Sequence, residues 1–176
     1  MRFVGFLLSL FVLPGAAFAQ AASYSLSGPA CTNGRLTSSL GAVPLVAIKA
    51  PRIGTTFEVE TESSANYPWG NRRRVVLLTG FSNTSAGGAP LPFDLGSLAL
   101  GAPICGLLST SAEISIAVPM QLSYLTPSRI AIPIPNQTSL IGLRFYQQAA
   151  SRETSSFGPP FFSLALSRLG TGVIGL

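Results

Sequence analysis

Apolar residues recur along the chain in short bursts, cut off every dozen residues or so by glycine, proline, serine or asparagine. Inside several bursts the pattern alternates. In TFEVETE, Phe57, Val59 and Thr61 fall on one side of an extended chain and Glu58, Glu60 and Glu62 on the other, because successive strand side chains point to opposite faces. The same period aligns Ile130, Ile132 and Ile134 in RIAIPI, and Phe162, Leu164 and Leu166 in FFSLALSRL. In LIGLRFYQQ it sets Ile141, Leu143 and Phe145 against Arg144, Tyr146 and Gln148. Two segments, LVAI at 45–48 and VVLL at 75–78, are apolar on both faces and predict central strands, or strands whose outer face is covered. Strands are expected near 45–50, 55–62, 73–81, 104–110, 113–118, 129–134, 141–150 and 160–168, with a last one over 171–175. Pro133 and Pro135 put the 129–134 strand at a sheet edge, since proline donates no ladder hydrogen bond.

Beyond the N-terminal segment no stretch carries a helical stripe, and 14 prolines and 18 glycines oppose helix. The expected fold is therefore all-β: an immunoglobulin-like antiparallel β-sandwich, a single domain over residues 31–176. Residues 20–30 are expected to be a flexible lead-in. Residues 1–19 have the layout of a cleaved signal peptide: Arg2, an apolar run from Phe3 to Leu13, a Pro14-Gly15 break and Ala17-Phe18-Ala19 before Gln20. That run is too short to span a bilayer, which takes roughly 20 apolar residues. The mature protein is thus expected to be exported and to lack a transmembrane span.

Charge changes the picture only by exclusion. The net charge is +5, but apart from Arg72-Arg73-Arg74 the basic residues are scattered, so no nucleic-acid face is expected. The chain has no histidine, which removes Ser-His-Asp and Cys-His catalysis. Cys31 and Cys105 are its two cysteines, and in an exported chain they read as a disulfide. The bridge would close a loop worth roughly 4 kcal/mol on the chain-entropy model. The alternative, a two-cysteine metal site, lacks further ligands. No metal and no cofactor are expected.

The segments GPACTNG, PRIGTTFEV, VVLLTGFSNTS, GAPLPFDL, GAPIC, IPIPNQTSLIGLRFYQQA and the terminal GVIG together resemble a secreted bacterial β-sandwich domain. That domain occurs alone or at the C-terminus of larger exported proteins, and no activity is assigned to it. The resemblance runs from about Gly28 to Gly175 and implies fold and export rather than function. It also matches Cys31 and Cys105 to the family's paired cysteines. The chain departs from the pattern at Ile104, in FFSLALSRLG, and in a longer, arginine-rich 63–72 loop.

Asp94 is the chain's one aspartate, and it ends PLPFDL. No second acid lies near it in sequence. With Pro90 and Pro92 fixing φ on either side of Leu91, the segment reads as a stiff corner, Pro90, Pro92, Phe93 and Asp94, rather than a general acid. A hydrolase pairing Asp94 with a distant glutamate is the weaker alternative. The three glutamates of TFEVETE are expected to form an ion ladder, with Glu62 opposite Arg72 and Glu60 opposite Arg74 on a following hairpin strand.

The loop SSANYPWGNRRR supplies the binding candidates Tyr67, Trp69, Asn71, Arg72 and Arg74. Flat aromatics beside amide and guanidinium donors suit polysaccharide or anionic cell-envelope material. Tyr146, Gln147 and Gln148 rank second, and the resemblance to the secreted domain implies a structural role for them. The expected function is a non-catalytic binding or structural module. Self-association through the 129–134 edge or the terminal GTGVIGL is the alternative. Intact mass of the exported protein should correspond to a chain starting at Gln20 with both sulfurs oxidised; a retained leader or two free thiols would contradict this.

Overall fold

The computed structural model describes residues 20–28, 43–66, 72–95, 104–121, 126–155 and 161–176. Within them the regular secondary structure is almost all β-strand, with a short 3-10 turn at Thr138–Leu140. The first are β1 (Ser23–Ser27), β2 (Leu45–Ala47), β3 (Thr56–Thr61), β4 (Ala65–Asn66) and β5 (Arg72–Gly80). Short pieces follow: β6 (Ser85–Ala86), β7 (Ala89–Pro90), β8 (Phe93–Asp94), β9 (Ile104–Cys105) and β10 (Leu107–Leu108). The rest are β11 (Ile114–Ala117), β12 (Ser128–Pro133), β13 (Arg144–Ser155), β14 (Phe161–Leu166) and β15 (Leu169–Val173). Among the described residues no helix is long and apolar enough to cross a membrane.

β13 is the spine of the larger sheet. One edge pairs antiparallel with β5, from Tyr146↔Gly80 to Thr154↔Arg72. The other edge pairs first with β15 and then with β14. Between Gln147↔Gly170 and Ala150↔Leu166 the register slips by one residue, so β14 and β15 act as one bent strand with a bulge at Ser167-Arg168. Buried Gln148 satisfies that bulge. Its Nε2 donates to the carbonyls of Ser167 and Leu107, both at 3.0 Å, and its Oε1 accepts from the Ser109 N–H at 2.7 Å. β1 borders β15, β9 runs parallel beside β14, and β11 and β4 border β5.

The smaller sheet, β12–β3–β2, lies over it. The alternation in β3 works as the sequence predicts: Phe57, Val59 and Thr61 are buried while Glu58 and Glu60 turn outward. Phe57 and Val59 share one core with Val75, Leu77, Phe145 and Ala149 of the larger sheet. At its centre Tyr24, Phe57 and Phe145 form a cluster with centroids 5.4, 5.5 and 6.3 Å apart, within the 4.5–7 Å range of favourable ring pairs. Glycine makes room for it. A Cβ at Gly172 would overlap the Phe145 ring and one at Gly170 the Tyr24 hydroxyl.

Several expectations change. The 20–30 segment contributes the edge strand β1, which hydrogen-bonds β15 along its length. LVAI is not central among the described residues: there β2 pairs with β3 alone, and Val46 and Ile48 are exposed. The terminal segment is not an open edge, because β15 is flanked by β1 and β13. β12 is an edge strand among the described residues, as its prolines predict. β3 and β5 form no hairpin; they belong to different sheets. Ser63 and Ser64 carry the chain across. The Ser63 hydroxyl bonds the Thr126 carbonyl, and the Ser64 hydroxyl links the Val118 carbonyl and the Val75 N–H, both at 2.9 Å. Cys31 lies outside the described residues; Cys105 sits on β9 with its backbone beside Ala165.

Phe57→Ala should destabilise the protein by about 3–5 kcal/mol in urea titration. Val46→Ala, on the exposed edge strand, should shift stability by less than about 0.5 kcal/mol. Equal losses would contradict the layered core.

Candidate functional site

Of the loop candidates, Tyr67, Trp69 and Asn71 lie outside the described residues. Arg72 and Arg74 are exposed and alternate along β5 with buried Arg73. Arg74 sits directly opposite Arg152 on β13, so two guanidinium-bearing positions adjoin on the outer face. Pro90 pairs with Ser85 at the open end of the β6–β7 hairpin, whose turn is Gly87-Gly88. Pro92 is exposed and follows a cis peptide bond. Phe93 and Asp94 form β8, opposite Leu108 and Leu107 of β10. Phe93 is half-buried and Asp94 is exposed.

The glutamates find partners other than those expected. Glu58 bonds Lys49, and Glu60 bonds Arg129 at 3.2 Å from the facing strand position. Glu62 turns inward instead of continuing the ladder. It lies 3.3 Å from Nη1 of Arg73, whose Nε and Nη2 donate to Glu153 at 2.8 and 2.6 Å. Arg73 is almost completely buried, so a guanidinium between two carboxylates ties the end of the smaller sheet to β5 and β13. Burial pushes the Glu62 carboxyl above its usual range and Arg73 opposes that rise. Glu113 accepts from the Ser111 hydroxyl at 2.6 Å and the Phe81 N–H at 3.1 Å, and these bonds hold its carboxyl below the usual range. Among the described residues no group of three His, Cys, Asp or Glu side chains is placed to hold a metal ion.

Tyr146, Gln147 and Gln148 are buried rather than displayed. Gln147 accepts from the Tyr24 hydroxyl at 3.2 Å and donates to Thr79 Oγ1 at 3.0 Å. Burial raises the Tyr24 hydroxyl above the usual phenol range, which keeps it a donor.

Gln147 and Thr79 also lie in the wall of a pocket that sequence reasoning did not find. It has a volume of about 260 Å³ and opens between the two sheets, where β11 edges one and β12 the other. Ile114 and Ile116 of β11 face Ile132 of β12 and the following Ile134. Phe57 and Phe145 supply its inner wall. Phe81, Ile114 and Leu143, 50%, 46% and 38% exposed, extend the apolar surface towards solvent. Among the described residues the wall is apolar apart from Thr79 and Gln147, and those two are bonded to each other. The sequence does hold a trace of it, in the short alternations of ISIA and IAIPI, but not the topology that brings them together.

No family model, no curated protein and no solved structure matches the chain.

Arg73→Met should lower stability by about 3–5 kcal/mol near neutral pH, because it strands two carboxylates. With Arg73 gone, Glu62 rises further. A folded-state pKa above the unfolded value means the folded state binds the proton more tightly, so acidification through that pKa favours folding. The deficit against wild type should therefore shrink between about pH 7 and about pH 5 in urea titrations. A pH-independent deficit would contradict this.

Proposed function

We propose that the protein is an exported, non-catalytic β-sandwich of immunoglobulin-like architecture that binds cell-envelope material, and that the inter-sheet pocket is its binding site. The observation that carries this is the pocket itself. Concave, largely apolar sites rimmed by exposed apolar side chains are where proteins take up ligands, and isolated soluble surfaces seldom leave such patches uncovered. The signal-peptide layout of residues 1–19 supports export, as does the resemblance to a secreted bacterial domain. The engagement of Glu58, Glu60, Glu62, Glu113 and Glu153 in ion pairs or hydrogen bonds supports a non-catalytic role, since acid–base chemistry needs a carboxyl poised towards substrate. Polysaccharide contact at Arg72 and Arg74 is part of the same proposal, as a second surface on the outer face.

A second reading, self-association, is favoured by the β2 edge, where Val46 and Ile48 stand exposed. Sedimentation separates it: concentration-dependent assembly abolished by Val46→Lys upholds it, and a monomer at every concentration discards it.

Retention of the protein on cell-envelope fractions tests the leading proposal. Ile116→Trp, which fills the pocket, should weaken retention by about tenfold or more, equivalent to about 1.4 kcal/mol. Retention equal to wild type would overturn the assignment of the pocket.

A further inference from the structure

We infer that the pocket takes the end of an unbranched hydrocarbon chain, the tail of an amphiphile whose polar head stays outside; this rests on the pocket being the binding site. Three observations lead there. The first is polar accounting. The wall's two polar side chains are engaged, Gln147 with the Tyr24 hydroxyl and with Thr79, and the other twelve described lining residues bring only hydrocarbon side chains. A sugar or peptide group brought inside would leave its own polar atoms unpaired, at a penalty of about 1–3 kcal/mol each. A hydrocarbon brings none.

The second is size. The volume of about 260 Å³ exceeds the cavity of about 150 Å³ that holds benzene. It falls below the roughly 300–1,000 Å³ of sites that engulf a whole drug-sized molecule. Part of a larger ligand therefore enters, and the exposed apolar faces of Phe81, Ile114 and Leu143 continue the track outward for the rest.

The third concerns the alternative occupant, an extended peptide adding to a sheet edge. β12 runs along the pocket with Pro133 and then Pro135 in its wall. Ile134 donates inward to Thr55, so position 133 alternates to the open side, where proline has no N–H to offer. β11 across the mouth is four residues long and Pro119 follows two positions after its end. Both edges are poor templates for an incoming strand.

The test is calorimetric titration of the purified protein with alkyl glucosides and fatty acids of increasing chain length, beside flotation with phosphatidylglycerol vesicles and a titration with an alternating Val/Ser peptide. Affinity should tighten about fourfold per added methylene and then level off once the pocket is full. It should fall in Ile116→Trp and in Leu143→Glu, whose exposed position keeps folding intact. Vesicle flotation identifies membrane lipid as the source, and binding of free amphiphiles alone identifies a soluble one; either upholds the inference. Peptide binding without alkyl binding would keep the pocket and overturn the hydrocarbon. No binding of any probe would overturn both.

Discussion

Phe57 and Phe145 meet edge to face across the gap between the sheets, 5.5 Å apart, with Tyr24 leaning on both. The three rings come from β3, β13 and β1, strands far apart in sequence, and their contact sets the spacing of the layers. Phe57 and Phe145 are also the inner wall of the pocket. The same contact that closes the core therefore decides where it stays open. Beyond these rings, towards β11 and β12, no described side chain fills the space, and the apolar surface runs on to solvent.

Polar groups inside this apolar frame are held with little slack. Gln147 bridges Tyr24 and Thr79, and Gln148 pins the bulge where β14 becomes β15. Buried amides left unpaired would be costly, so these networks favour one register of β13 over its neighbours. Arg73 plays the corresponding part for charge, held between Glu62 and Glu153. A one-residue slip of β5 against β13 would turn Arg73, Val75 and Leu77 from the core to the outer face.

Much of the strand pattern was legible in the chain. Period-two alternation placed Phe57, Val59, Ile130 and Phe145 inside, and Pro133 placed β12 at an edge. What the alternation could not report is which strands meet. LVAI looked central because it is apolar on both faces, yet no strand among the described residues lies beyond β2, and Val46 stays in solvent. Glu62 and Arg72 looked like hairpin partners because they are close in sequence. The crossing at Ser63-Ser64 sends them to different sheets, and Arg73, not its neighbours, receives the charge. Gln147 and Gln148 stood second among the binding candidates, with a structural role implied by the resemblance; the Tyr24 hydroxyl and the bulge supply the partners that let them sit inside. The pocket was the least legible feature, since its walls come from stretches spread between residues 57 and 174.

The proposed role of this space depends on its apolar wall. Diffraction from crystals of the protein pressurised with xenon tests it directly, because apolar cavities take up xenon while polar ones hold ordered water. A xenon peak bounded by Phe57, Phe145, Ile116 and Ile132 is the expected result. Ordered waters bonded to the wall, or sheets collapsed until no space remains, would contradict it.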